Sequence, residues 1–280
     1  MDLLEKIALC NSEEEVDNIV SVAIKEADEN SNKVGQLGFI NGNNASPTFK
    51  GFIPLKTRIR YSNLAMEDYG METTDFIYSF AHFVKKYNIQ NKGSVVSFLE
   101  WFINDYFGLG GNKTREQIFN DYAWNNSETD EEYFQMLENN KIGDLKGSGA
   151  SMCTERSALA EQILTLFGIE SYYCMGCVER KGKQEAHCFN VTKGKDGYIL
   201  IDYSIPVPKY NEEGKIERYY PFLGKMTNEE FETFKTTGCV KDFDDYIQID
   251  GKDKPEVIGK RSYVIGKYEI VKNYTEDLTK

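Results

Sequence analysis

Three side chains that can do chemistry together follow one another within one short stretch of the chain, Cys153, His187 and Asp202. A thiol, an imidazole and a carboxylate are the groups of a covalent nucleophilic catalyst. The imidazole takes the proton of the thiol, and the carboxylate holds the imidazole in place. The stretch therefore predicts thiolate attack on a carbonyl, if the surrounding elements bring the three groups together.

A Gly- and Ser-rich approach at 147–152 leads into an apolar segment that begins at Cys153 and ends before Gly168. Leu159 and Ile163 recur at helical spacing, which predicts a helix packed on its apolar face. At the first turn, unpaired backbone N–H groups and the positive end of the helix dipole favour a thiolate and can bind an oxyanion. The alternative is that Cys153 is a small buried apolar residue, as many cysteines are.

Two strand-like runs, 184–193 and 197–204, flank the turn signal Gly194-Lys195-Asp196-Gly197. With the turn centred between 194 and 195, His187 and Asp202 become direct cross-strand partners, with their Cβ atoms about 5 Å apart. A shift of the turn by one residue would move Asp202 out of direct register with His187. The alternatives are a polar residue at a strand edge for His187 and a solvated carboxylate near a turn for Asp202.

The elements around this stretch are helices before it and strands after it. This order predicts the α+β class, with a helical layer packed on an antiparallel β-sheet. We divide the chain into an N-terminal helical and irregular extension, 1–70, and a catalytic domain, 71–280. Apolar periodicity and capping signals predict helices at 12–28, 74–87, 94–107, 114–124, 129–139 and 227–236.

Composition excludes several classes of protein. The 280 residues carry a net charge of −12, which argues against nonspecific nucleic-acid binding and against an anionic membrane surface. The sequence contains no apolar run of membrane-spanning length, and the N-terminus is acidic, so we expect a cytoplasmic protein. Six scattered cysteines suit a reducing compartment.

The runs MCTERSALAEQILTLFGIES, YYCMGCVE, EAHCFNV and LIDYS together resemble the core of the transglutaminase-like superfamily, whose fold is related to that of the papain-like cysteine peptidases. The resemblance spans about 60 residues. It implies that Cys153 is the nucleophile, His187 the general base and acid, and Asp202 the residue that orients the histidine. Cys188 stands where the family often has an aromatic residue. Trp124 is the candidate for the family's oxyanion-assisting side chain, and a core tryptophan is the alternative.

These features predict a cysteine-dependent amide hydrolase, a peptidase, amidase or deamidase, that acts on a protein or peptide. If an amine replaces water as the acceptor, the same acyl-enzyme would make a transglutaminase. A third possibility is a non-catalytic binding module that keeps the fold. None of these needs a metal or an organic cofactor.

A rival interpretation is a metal or redox site at Cys174 and Cys177, which have CxxC spacing and lie near Cys188 and His187. If the segment is a strand, however, Cys174 and Cys177 point to opposite faces and cannot ligate one ion together. We therefore expect no metal there.

Overall fold

The computed structural model describes residues 1–31, 37–38, 48–60, 68–70, 74–108, 121, 123, 125–139, 146–147, 149, 151–238 and 240–266. The residue contacts of the chain divide into two compact units. The first unit comprises 1–45 and 51–169, and the second comprises 46–50 and 170–280. The predicted division at residue 70 stays a prediction.

The first unit is largely helical. Its helices are α1 (Leu3–Leu9), α2 (Glu13–Asn30), α3 (Thr74–Lys86), α4 (Lys92–Phe107), α5 (Asp130–Asn139) and α6 (Cys153–Leu166). Three short strands, β1 (Leu37–Gly38), β3 (Arg58–Arg60) and β4 (Asp68–Gly70), pair in the order β1-β3-β4. The predicted helices at 12–28, 74–87, 94–107 and 129–139 are confirmed to within two residues at each end, whereas most of 114–124 lies outside the described residues.

Aromatic rings form much of the core of the first unit. Phe76, Phe80, Phe102 and Phe107 are buried, and their rings meet in edge-to-face and stacked pairs. Phe167, next to the end of α6, packs its ring edge against Phe80 with the two centroids 5.6 Å apart. This packing fixes one end of the helix that begins at Cys153.

The second unit is built on a closed β-barrel. Its five strands follow the ring order β5-β6-β7-β9-β10: β5 (Ser171–Arg180), β6 (Lys183–Lys193), β7 (Tyr198–Tyr210), β9 (Lys241–Ile249) and β10 (Glu256–Ile265). Pairing of β10 with β5 closes the ring. Two further strands extend it: β2 (Thr48–Lys50) pairs with β5, and β8 (Ile216–Met226) pairs with β7. Helix α7 (Asn228–Thr237) confirms the helix predicted at 227–236.

The predicted fold, a helical layer on an antiparallel sheet, is wrong. The sheet is mixed, because β7 and β9 run parallel, and it closes on itself rather than lying open. The periodicity of a strand does not reveal which strand will pair with it, and this closure depends on a contact far along the chain. A Cβ at Gly176 would lie 1.7 Å from the carbonyl oxygen of Val264. Glycine at this position therefore allows β5 and β10 to approach.

The barrel core contains buried apolar residues from all five strands and from α7. Phe189 on β6, Leu200 on β7, Phe243 on β9 and Tyr263 on β10 belong to one buried cluster. Phe234 of α7 stacks on Phe189. Side chains two positions apart lie on the same face of a strand. A polar residue two positions from a core residue therefore also turns into the core, as His187 does beside Phe189. In the part of the chain that the structure describes, no helix is both long and apolar enough to cross a membrane.

Candidate active site

Cys153 is the first residue of α6, as the sequence predicts. The helix begins after Met152, whose backbone N–H donates to Glu155 Oε2 at 2.7 Å. Arg156, one turn into the helix, donates through Nε to Ser151 Oγ at 3.0 Å and through Nη1 to Asn104 Oδ1 at 2.6 Å. These contacts connect the residues just before the helix to its first turn, so the backbone is fixed on both sides of the Cys153 thiol.

The whole of α6 is buried from residue 153 to residue 164, polar side chains included. The predicted apolar stripe is therefore only part of the packing. Glu161 accepts a hydrogen bond from the backbone N–H of Gly51 at 3.2 Å, and Gln162 donates to the carbonyl of Ile53 at 2.9 Å. Burial of a polar group costs free energy unless it is hydrogen-bonded, and these bonds offset that cost. The direction of the helix is thus fixed by polar as well as apolar contacts.

The helix also ends as the sequence predicts. Gly168 has a φ of +66°, and the backbone N–H of Ile169 donates to the carbonyl of Leu164 at 2.8 Å. A second bond runs from Gly168 N–H to the carbonyl of Thr165 at 3.0 Å. Together these are the two bonds of a Schellman motif, which needs a residue in the left-handed region just past the helix.

His187 and Asp202 meet in the second unit. His187 Nε2 lies 2.8 Å from Asp202 Oδ2, and the two side chains are 5% and 0% exposed. An ionised carboxylate only accepts hydrogen bonds, so Nε2 carries the proton and Nδ1 is the basic nitrogen of the neutral ring. The predicted contact between these two residues is confirmed. Because Asp202 is fully buried, it can act on a substrate only through the histidine.

The register of the hairpin differs from the prediction. The pairs Asn190↔Ile201 and Thr192↔Ile199 set β6 against β7. Continued along both strands, this register places residue 189 opposite Asp202. The prediction that His187 and Asp202 are direct partners is therefore wrong by two residues. Side chains alternate with a period of two, so a shift of two keeps both on one face, where they meet diagonally.

Four donors surround the Asp202 carboxylate. Oδ2 receives the Tyr263 hydroxyl at 2.7 Å as well as His187 Nε2, and Oδ1 receives the backbone N–H groups of Ser204 at 2.8 Å and Ile205 at 3.1 Å. Burial alone would raise the pKa of this carboxyl. The attraction and hydrogen bond of His187, with the bonds from Tyr263 and Ser204, instead hold the Asp202 pKa well below its usual value. Asp202 is therefore ionised at neutral pH.

Tyr263 is a site residue that the sequence did not reveal. It lies on β10, 61 residues after Asp202, in a run that reads only as a strand. Burial and the nearby Asp202 charge raise the pKa of its hydroxyl well above the usual value. Tyr263 therefore stays protonated and donates to Asp202 throughout the physiological range. One signal in the sequence was the spacing of Arg261 and Tyr263, which places two polar groups on the same face of the strand.

The remaining predictions concern Trp124 and the CxxC segment. Trp124, the oxyanion candidate, lies outside the described residues. Cys174 and Cys177 lie on strand β5 and pack in two different apolar clusters, as their opposite parity predicts. Within the described ranges, no group of three or more His, Cys, Asp and Glu side chains could hold a metal ion, and none of the five described cysteines forms a disulfide.

Models of known protein families, curated proteins and solved structures were all compared with this chain, and none matches it. The resemblance to the transglutaminase-like superfamily therefore stays a prediction. Two features of the chain itself bear on its function: a thiol at a helix start in the first unit, and a buried histidine–aspartate pair in the second.

Proposed function

We propose that this protein is a cysteine-dependent amide hydrolase acting on a protein or peptide substrate. The observation that carries the proposal is the His187–Asp202 pair, in which a fully buried carboxylate accepts a hydrogen bond from one imidazole nitrogen and so orients the ring. A histidine that only pairs with an acid on the protein surface would not need a carboxylate buried to this extent. The position of Cys153 at the first residue of a rigidly held helix adds to this, because helix starts favour thiolates.

The proposed reaction has two halves. In the first, the Cys153 thiol gives its proton to His187, and the sulfur forms a bond to the carbonyl carbon of the amide. The backbone N–H groups of the first turn stabilise the oxyanion. The carbon–nitrogen bond then breaks, and the proton on His187 leaves with the amine, so a thioester remains on Cys153.

In the second half, water attacks the thioester while His187 takes a proton from it. The carbon–sulfur bond breaks, the acid is released, and the proton returns to the thiolate. Asp202 holds the imidazole in the Nε2–H tautomer and stabilises the imidazolium that forms in each half. By analogy with the serine triad, loss of this group lowers the rate by up to ~10⁴.

The first test is the alkylation rate of each cysteine as a function of pH, measured by mass spectrometry. Cys10 is a matched reference, because its exposed fraction of 5% is close to the 7% of Cys153 and burial raises its pKa. We expect faster labelling of Cys153 near neutral pH. His187→Gln should slow this labelling, while His82→Gln, which removes the imidazole paired with Asp17, should not. Equal labelling of Cys153 and Cys10 would refute an activated thiol.

The second test is turnover of a broad peptide library by wild type and by Cys153→Ala, with and without a primary amine. Chain cleavage or deamidation of glutamine that needs Cys153 would support hydrolysis. Amine incorporation at glutamine would instead identify a transglutaminase. Fast labelling of Cys153 with no Cys153-dependent product would favour a binding module and count against the proposed function.

A further inference from the structure

A chain of buried polar groups continues beyond the His187–Asp202 pair into the barrel core. Tyr263 and Arg261 lie on β10 and Asp245 lies on β9, and the side chains of Arg261 and Asp245 are 0% and 2% exposed. Arg261 Nε donates to Asp245 Oδ1 at 2.6 Å, and Asp245 Oδ2 receives Arg180 Nε at 2.6 Å. Charges buried so deeply are costly unless they are paired, and each of these is paired.

Tyr263 acts on the oxygen of Asp202 that faces the histidine. Its hydroxyl and His187 Nε2 lie 2.7 and 2.8 Å from the same atom, Oδ2. The other carboxylate oxygen is held by two backbone N–H groups. Because both oxygens are held, the carboxylate plane cannot turn without breaking a bond. The direction in which Oδ2 presents its lone pairs to the imidazole is therefore set partly by Tyr263.

Arg261 acts on the backbone that holds the other oxygen. Its Nη1 donates to the carbonyl of Ile205 at 2.6 Å, and the N–H of Ile205 donates to Asp202 Oδ1. This stretch of β7 leaves the regular ladder, since the register against β8 shifts between Asp202 and Val207. An irregular backbone lacks the support of neighbouring ladder bonds. Arg261 supplies a bond there, and Asp245 anchors the guanidinium.

We propose that Tyr263 is a positioning residue for His187, acting through the shared Oδ2 atom of Asp202, and that Arg261 supports the same carboxylate through Ile205. The Tyr263 ring also lies against the imidazole, with the two centroids 6.2 Å apart, and Tyr263→Phe keeps that ring. The hydroxyl and the guanidinium act on the group that orients the imidazole. The assignment rests on the proposed function only for its effect on turnover, because the state of the imidazole can be read without any substrate.

The test compares Tyr263→Phe with Tyr173→Phe by ¹⁵N NMR of the imidazoles. Tyr173 is the matched control, a fully buried barrel tyrosine whose hydroxyl contacts Cys188 Sγ instead. The chain has two histidines, and His82, whose Nε2 also faces a carboxylate, that of Asp17, is an internal reference. Tyr263→Phe keeps the ring that stacks on Phe222 and removes only the hydroxyl.

We expect Tyr263→Phe to lower the fraction of neutral His187 in the Nε2–H tautomer, because Oδ2 loses the hydroxyl that helps to fix the direction of its lone pairs towards Nε2. His82 should not change, and Tyr173→Phe should leave both rings as in wild type. A Tyr263→Phe protein with an unchanged His187 tautomer would overturn the assignment.

A second measurement needs no variant. Two donors on one oxygen place the Tyr263 hydroxyl proton next to His187 Nε2–H, so wild type should show a nuclear Overhauser contact between them. Absence of this contact, with both protons observed, would also overturn the assignment.

Turnover separates this inference from the proposed function. If Cys153-dependent hydrolysis exists, Tyr263→Phe should lower kcat about tenfold with little change in KM, since the tyrosine does not bind substrate. A shifted tautomer without any Cys153-dependent product would leave the positioning role standing and refute the hydrolase. Cys153-dependent hydrolysis with an unchanged His187 tautomer would support the hydrolase and refute the positioning role.

Discussion

Asp202→Asn is the substitution that tests the reasoning about the buried pair most directly. The carboxylate accepts four hydrogen bonds, and an asparagine can keep the two from Ser204 and Ile205 through its own Oδ1. Its NH₂ group would then face His187 and Tyr263, which must turn into acceptors. Two bonds to a charged oxygen become two neutral bonds, at a cost of roughly 1–1.5 kcal/mol each. We expect the second unit to lose about 2–3 kcal/mol of unfolding free energy at pH 7.

The loss should depend on pH in a definite direction. The folded-state pKa of Asp202 is depressed, so its contribution is fully present above the pKa of an unfolded aspartate, about 3.9. The contribution disappears as the pH falls from there towards the folded-state pKa. Wild type and Asp202→Asn should therefore differ at pH 7 and converge in acid below about pH 4.

The assay is urea denaturation followed through amide resonances of both units, those of β6 and β7 for Asp202→Asn and those of α2 and α3 for the control. Asp17→Asn is the matched control, because Asp17 Oδ1 lies 2.7 Å from His82 Nε2 but the two side chains are 50% and 32% exposed. Exposed pairs contribute below about 1 kcal/mol. Equal losses in the two variants, or a loss in Asp202→Asn that persists in acid, would refute the account of a buried ionised carboxylate.

Two other predictions concern the barrel. Gly176→Ala places a methyl group against the carbonyl of Val264 and should lower the unfolding free energy by about 3 kcal/mol or more, measured by urea denaturation. The control is Gly259→Ala, which has nothing within 4 Å of its Cβ and should change the unfolding free energy by less than about 1 kcal/mol. Similar losses in the two variants would contradict the steric argument. Burial raises the pKa of the Cys177 thiol to about 11, so iodoacetamide at pH 8 should label it only after denaturation, and labelling in the folded protein would show that the thiol is not enclosed.

The helix start at Cys153 and the strands that carry His187 and Asp202 could be predicted from local signals. The register between those two strands could not. Loop residues 194–197 form a four-residue turn closed by a bond from Gly194 N–H to the carbonyl of Gly197. A Cβ at Gly197 would lie 2.2 Å from the carbonyl oxygen of Met226, so β8 presses on this turn. The centre of the turn is therefore set by a strand almost 30 residues downstream, which turn propensities do not report.

Helices were predicted well and the sheet was not, for a related reason. The caps of α2 and α7 involve residues three apart, Ser12 with Glu15 and Thr227 with Glu230, so the sequence shows them directly. Barrel closure joins β5 to β10, and Tyr263 comes to Asp202 only through that closure. Long-range pairing of this kind leaves no periodic trace, because each strand has the same alternation whether the sheet is open or closed.

The seam between β5 and β10 also determines when the barrel can be finished during synthesis. One edge of β5 is shared by two strands: β2 pairs with residues 172–174, and β10 pairs with residues 176–180. The ribosome makes β2 before β5, but residues 181–255, 75 in all, separate β5 from β10. At 5–20 residues per second these take roughly 4–15 s. For that interval the part of the β5 edge that β10 will cover stays unpaired in the nascent chain. Unpaired strand edges are sites at which chaperones and neighbouring chains bind.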